Sequence, residues 1–495
     1  MKRWHWLFLA AFVLILRLPY FNSPTIHIDE QFYLVVADKW VNEGLIPYVD
    51  IWDRKPIGIF AIYAVAVLFF KNAILGYQIL ATLFVIATCG VVFYIARLIS
   101  KDWVPLLAAL IYGAGVMLWE GQGGQTPVFY NLFVAGAVSI LFGIVAAPAQ
   151  IRRDVVTKML TASILFGMSL QIKYTCVIEA SAVSLYVLCI LYGRQFFNLA
   201  ELAFLALGMM LCGLCPTVVV GLIYAHIGHW HEFFDANFVS IFEKHTWNLD
   251  AAEYARRFRN SSAFGIVFLP LAACGLWRIL RGGLIGAEAC VSFGVVIWIV
   301  AAFAGAIMFG NPTQHYFLPT LMPLALLAST GFWWLGQGQS AFNIRVAALQ
   351  NGIGGYGGFL AVLALPCMAS YVMSYTNAER RGETADMNAV GAYIREHRAE
   401  GCVFVFNRLP ILYYLGNSCA PSVYVFPNHL SEIGEVRTPD RKRFQELARV
   451  LVSTPAMIFV RRPHTKDTDL EAIDMLEQTL HDRYVLAMER PGYNQ

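Results

Sequence analysis

Two adjacent carboxylates, Asp29 and Glu30, lie in the stretch IHIDEQFY at 26–33, directly after an apolar run. Further on, Arg54 and Lys55 stand immediately before Pro56 and the apolar run PIGIFAIYAVAVLFF at 56–70. A carboxylate can take the proton from an attacking hydroxyl, and a guanidinium or ammonium can hold an anion. Between these two ends lie Tyr33, a G-x-x-P-Y turn from Gly44 to Tyr48, Asp50 and Asp53. The loop 22–73 is the richest cluster of ionisable groups beside the apolar segments. Its composition points to a site holding both a proton acceptor and an anion. Plainer roles exist for each end. Acids are favoured in the first turn of a helix such as QFYLVVADKW, and a lysine beside an apolar run can snorkel. The spacing from the acid pair to Lys55-Pro56 favours the chemical role, whereas Asp50 and Asp53 fit loop polarity or structural pairing better.

The elements that must position these groups are membrane helices. Of the 495 residues, 58% are hydrophobic and 14% charged, and the mean hydropathy is +0.57. A soluble chain carries roughly 25% charged residues, so most of this one belongs in lipid. An aromatic content of 14% suits interfacial belts of Trp and Tyr. A net charge of +3 gives no case for a nucleic-acid partner. The opening MKRWHWLFLAAFVLILRLPY has the positive start and apolar run of a signal peptide but no small-residue cleavage site after it. It reads as a retained first helix with a cytoplasmic N-terminus.

Apolar runs of crossing length, or nearly so, fall near 4–21, 74–98, 103–118, 128–147, 159–172, 174–192, 199–227, 263–280, 284–309, 316–335 and 354–375. The run 56–70 is only about fifteen residues long, and its status sets the sidedness of everything after it. If it does not cross, Arg97, Lys101, Arg152, Arg153, Lys158, Arg194, Arg278, Arg281 and Arg345 all fall on the cytoplasmic side. If it crosses, all fall outside. The positive-inside rule therefore predicts a re-entrant or interfacial helix at 56–70 and about eleven spans. The external segments are then 22–73, 119–127, the turn at Lys173, 228–262, 310–315 and the tail from 376.

The tail changes character and predicts a small external α/β domain over 376–495, after a membrane domain over 1–375. ADMNAVGAYIREHRA, RKRFQELARVLV and DLEAIDMLEQTL read as helices; CVFVF, AMIFV and YVLAM read as short strands. Cys402 and Cys419 both fall in this tail and can pair if the compartment is oxidising. C-G-L-C at 212–215 has redox spacing but sits mid-helix without a βαβ context. His229, His231 and His245 carry no acid–histidine signature and read as part of a solvated interfacial helix. GIGGYGG at 352–358 lacks the strand and lysine of a P-loop, so its glycines read as helix packing.

The first loop resembles a known family. D-E-x-x-Y after the first span, G-x-x-P-Y-x-D, and K-P opening an apolar helix are similar to the bacterial dolichyl-phosphate-mannose–protein mannosyltransferase-like family. That family belongs to the GT-C glycosyltransferases, with the lipid A aminoarabinose transferases as relatives. The similarity continues at EGQGGQTPVFYNLF (120–133), LQIKYT (170–175), TQHYFLPTLMPLALL (313–327) and the tail segment 403–427, and so covers nearly the whole chain.

The resemblance implies a polytopic α-helical GT-C membrane protein that moves a monosaccharide from a polyprenyl phosphate to an acceptor hydroxyl at the periplasmic face. It sets Asp29 as the base, with Glu30 orienting the acceptor or stabilising the sugar ring. Lys55 holds the lipid phosphate, supported by Arg54, Lys173, His315 and Tyr316. Tyr33, Asp53 and Glu120 support the acceptor or the loops. The implied location is a bacterial inner membrane, with a glycan, lipid or protein as acceptor. The chain departs from the family in its second external loop, G-Q-G-G-Q-T-P, where an acidic or Asn-Glu pair is usual and only Glu120 remains at the edge. No tightly bound metal is therefore expected, although a divalent cation stays open. Two competing readings are a lipid or glycan transporter and a polysaccharide polymerase or ligase with a diphosphate-linked donor. The transporter reading is weaker, because the charges gather at one face and no repeat is visible.

Overall fold

The computed structural model describes residues 3–101, 103–147, 150–243, 250–263, 265, 268–281, 286–308, 310, 312–336, 368, 372, 384–407, 409–433, 441–464 and 467–489. Apart from residues 368 and 372, the expected span at 354–375 lies outside them, as do the glycine run 352–358, His245 and Arg345. The described chain is a helical multi-pass membrane protein. Among the described residues, six helices have the length and composition to cross a bilayer: Ala73–Ala96, Thr126–Ala146, Cys176–Gly193, Leu199–His226, Ala287–Ile307 and Gln314–Trp334. Val104–Leu118 and Leu269–Leu280 are apolar but shorter. The runs near 4–21 and 159–172 form helices Arg3–Arg17 and Arg152–Leu170.

The contacts divide the chain into two compact units. The first comprises Met1–Pro19, Ile79–Val219 and Leu249–Met373. Helix pairs approach closely here because glycines stand at the crossings. A Cβ on Gly275 of helix Leu269–Leu280 would meet the Leu327 carbonyl oxygen at 2.2 Å. Small residues of this kind let membrane helices touch backbone to backbone. One on Gly331, in helix Leu321–Gly336, would meet the Leu271 carbonyl oxygen at 1.9 Å. Gly331→Ala should therefore push this pair apart and lower the unfolding free energy by about 1–3 kcal/mol, the usual range for overpacking. Thermal unfolding in detergent checks this, and an unchanged midpoint would remove the crossing from the account.

The second unit comprises Tyr20–Gln78, Val220–Asn248 and Ser374–Gln495. It contains helix Ile28–Glu43, ended by Gly44 at φ 72°, and helix Ile57–Phe69, begun by Pro56. The latter has 13 residues, and at 1.5 Å per residue covers about 20 Å, short of a hydrocarbon core of about 30 Å. Its tail segment holds helices Thr384–His397, Arg441–Val452 and Leu470–Arg483. Strands Val403–Val405 and Met457–Phe459 pair in parallel, with Phe404 opposite Ile458. Parallel strands need a crossover, here carrying the strongly amphipathic helix Arg441–Val452. Phe404, Phe406, Leu430, Leu447, Val450 and Leu476 form the core under that sheet. Cys402 and Cys419 are joined in a disulfide.

The strand expected at YVLAM is not formed. Helix Leu470–Arg483 closes at Tyr484, and Val485 and Leu486 after it are exposed, with no strand paired to them among the described residues. Alternation of apolar residues alone does not supply a pairing partner.

Candidate active site

The predicted site residues fall in two groups, one within each unit. In the second unit, helix Ile28–Glu43 is capped by His27, whose Nδ1 accepts the Asp29 backbone N–H at 3.2 Å. The cap is thus the histidine and neither acid. Asp29 Oδ1 accepts a hydrogen bond from Lys55 Nζ at 3.2 Å across 26 residues of sequence. Both side chains are largely but not wholly buried, with 15% of Asp29 and 30% of Lys55 exposed.

The loop that delivers Lys55 is held from several directions. Asp50 accepts the Ile46 N–H at 2.7 Å, and Asp53 accepts the Lys55 N–H at 2.7 Å. The Tyr48 hydroxyl donates to the Lys55 carbonyl at 2.8 Å. Asp53 also faces His429 Nε2 at 3.7 Å. The Trp52 N–H donates to the Val423 carbonyl at 3.0 Å. Asp50 and Asp53 thus shape the loop.

The Lys55 ammonium lies 5.0 Å from the Tyr33 ring centre and 5.9 Å from that of Phe426. Burial alone would lower its pKa, but the Asp29 carboxylate, with Asp53 behind it, outweighs burial and raises the pKa well above the ordinary lysine value. The ammonium therefore stays charged at any physiological pH. Its stabilising contribution is present below the unfolded lysine pKa and is lost only as pH rises through the raised one. Burial, then the Asp29 charge, also pushes Tyr33 well above its usual range, so it remains a neutral phenol.

Glu30 points to a different environment. It is fully buried and accepts from the Tyr77 hydroxyl at 3.3 Å, and Tyr77 stacks on Tyr63 at 4.7 Å. Arg54 lies over the Trp52 ring at 4.9 Å.

In the first unit, Glu120 sits at φ 58° and its Oε2 lies 2.8 Å from His315 Nδ1. Since a carboxylate only accepts, the imidazole Nδ1–H donates in this pair. The Tyr316 ring packs edge-on against His315 at 4.8 Å, and the Lys173 ammonium lies 3.8 Å from the Tyr316 ring centre. The loop carrying Glu120 is clamped by Arg17, which is buried and donates to Thr82 Oγ1 at 2.9 Å, to the Gly123 carbonyl at 2.7 Å and to the Gly121 carbonyl. Trp119 Nε1 anchors the loop's start on the Ser261 carbonyl at 2.9 Å.

Sequence reasoning missed Arg17, His27 and Glu179. Glu179 belongs to helix Cys176–Gly193, is 2% exposed, and accepts from Trp298 Nε1 at 2.8 Å. The available signal was a charge inside an apolar run, which defaults to function in a membrane protein; Arg17 carried the same signal. A small cavity lies among Tyr130, Lys173, Thr175, Glu179, Gly305 and Tyr316, with room for about one water-sized group.

No protein-family model matches the sequence, and no curated protein does. Solved structures do match. ArnT from Cupriavidus metallidurans in the apo state has a TM-score of 0.57 at 16% identity, over 89% of this chain and 90% of that one. The same organism's ArnT bound to undecaprenyl phosphate gives 0.56 at 17% identity, over 88% and 90%. The oligosaccharyltransferase of Archaeoglobus fulgidus in the apo form gives 0.52 at 12% identity, over 80% of this chain and 58% of that longer one. At such identities the likeness is one of architecture. The chain shares the overall fold of these structures.

Proposed function

We propose that this protein is a membrane glycosyltransferase that moves a monosaccharide from a polyprenyl-phosphate donor to an acceptor hydroxyl. The observation that carries this reading is the Asp29–Lys55 pair, a largely buried carboxylate and ammonium 3.2 Å apart on a GT-C frame. The acceptor oxygen attacks the anomeric carbon, its proton passes to Asp29, and the bond from that carbon to the phosphate oxygen breaks. The departing phosphate gains charge, which Lys55 stabilises where water is scarce. Arg54 adds a second cation to that loop. Lys173, His315 and Tyr316 bind the donor head group, and Glu120 orients the His315 imidazole. Tyr33 packs under the Lys55 ammonium, Asp53 fixes the Lys55 backbone, and buried Glu30 ties its helix to the Tyr77 hydroxyl.

The ArnT structure of like fold holds undecaprenyl phosphate, which supports this donor class. A disulfide in the tail suits an oxidising compartment. We therefore place the first loop and the domain 376–495 on the periplasmic side of a bacterial inner membrane, with about eleven spans. Purified protein in detergent, given radiolabelled polyprenyl-phosphate sugars and envelope acceptors, should release polyprenyl phosphate and transfer the label. No transfer with any such donor, alongside transfer from a diphosphate-linked one, would replace this reading by the polymerase class.

The donor set bears on metal dependence. An oligosaccharyltransferase of Archaeoglobus fulgidus has been crystallised with zinc and sulfate. Here Lys55 already supplies positive charge for the phosphate. Dialysis against EDTA should leave turnover within twofold of its starting value. A loss restored by zinc or manganese would instead make Glu120 and His315 metal ligands.

A further inference from the structure

The cavity beside Lys173 has features that the transfer chemistry assigned above does not use. Its polar lining is Tyr130, Lys173, Thr175 and Glu179, and small residues of helix Ala287–Ile307, Ala302 and Gly305, line it too. One Glu179 oxygen is fixed by the Trp298 indole N–H at 2.8 Å. The carboxylate is thereby oriented, and Glu179 lines the cavity. A buried acid in a membrane helix is costly unless it has a partner or a task.

We propose that this cavity is a specificity subsite taking one hydroxyl substituent of the transferred sugar, with Glu179 as the acceptor for that hydroxyl and Lys173 as a donor to it. This rests on the glycosyltransferase reading. A hydroxyl suits a wall that offers both a donor and an acceptor, since it can give one hydrogen bond and receive another. A phosphate oxygen does not, because it would face the Glu179 carboxylate. The room for about one water-sized group fits a single hydroxyl and excludes a whole ring. Glu179 binds in this account and does not take part in bond making.

Gly305 gives a test in which folding and function move in opposite directions. A Cβ there would meet Thr175 O at 3.5 Å and Thr175 Cβ at 3.9 Å, which is ordinary contact. Gly305→Ala therefore fits the fold, and alanine in place of glycine within a helix favours it. The same methyl occupies space in the cavity. The expected result is an unfolding midpoint equal to or above wild type, together with kcat/KM for the wild-type donor lowered by about 10- to 200-fold, as for one misplaced methylene in a pocket. A second variant reads the hydrogen bond. Glu179→Gln keeps an oxygen for the Trp298 N–H but presents an amide N–H₂ to the cavity. Assayed against a panel of singly deoxygenated polyprenyl-phosphate sugars, wild type should discriminate strongly against one deoxy donor, and Glu179→Gln should lose that discrimination. Wild-type kcat/KM in Gly305→Ala, or an unchanged deoxy-sugar profile in Glu179→Gln, would overturn the subsite. If wild type itself transfers from no polyprenyl-phosphate sugar, the glycosyltransferase reading fails instead.

Discussion

Asp29→Asn should leave the donor bound and untransferred. The substitution keeps size, helix position and much of the hydrogen bonding, and removes only the capacity to accept a proton. General-base catalysis by a positioned carboxylate contributes about 10²- to 10⁴-fold, so kcat should fall by that factor while donor affinity stays within about threefold. Equilibrium binding of labelled donor, measured beside single-turnover transfer, separates the two quantities. A variant that turns over like wild type would dismiss Asp29 as the base, and a variant that cannot bind donor would mean that its role is structural. The expected split follows from His27, which caps the helix in place of Asp29. Removing the Asp29 charge therefore leaves the helix start intact.

Lys55→Met should produce the opposite signature. Methionine fills the same slot between Tyr33 and Phe426 but brings no charge to the leaving phosphate. Losing one preorganised donor to a developing anion costs about 10²- to 10³-fold in kcat, and here donor affinity should fall as well, because the phosphate is anionic in the ground state too. Lys55→Arg should recover little, since a planar fork does not reproduce a point charge placed over an aromatic ring. Lys55 has a pKa well above the ordinary value, held there against burial by Asp29. An alkaline loss of wild-type activity near the usual lysine range should therefore not arise from Lys55. If the lysine variants bind and transfer normally, the phosphate is held elsewhere.

The two ends of this pair were legible in the sequence for a physical reason. A proton acceptor beside one apolar run and a cation beside the next must both lie near the membrane surface, and the G-x-x-P-Y turn between them reverses the chain. The helices Thr384–His397, Arg441–Val452 and Leu470–Arg483 were legible because amphipathic periodicity is local. What was not legible depended on partners remote in sequence. Glu30 and Asp29 are neighbours of the same chemistry, yet one is fully buried against Tyr77 and the other faces Lys55. Helical geometry turns successive side chains by about 100°, so adjacency says nothing of shared surroundings. Arg17 reads as the end of a first span until its carbonyl partners at Gly121 and Gly123 are seen. YVLAM carried strand periodicity, but a strand is a property of two segments. Glu179 needed Trp298, 119 residues away, before its burial made sense.

The most direct test of the central claim is a double-mutant cycle on kcat/KM for donor, using Asp29→Asn, Lys55→Met and the two together. Groups that act as one unit on a single transition state lose far less in the double variant than the product of their separate losses. The account predicts a double variant within about tenfold of the worse single one. Losses that multiply fully would show that the carboxylate and the ammonium act independently, and would contradict it.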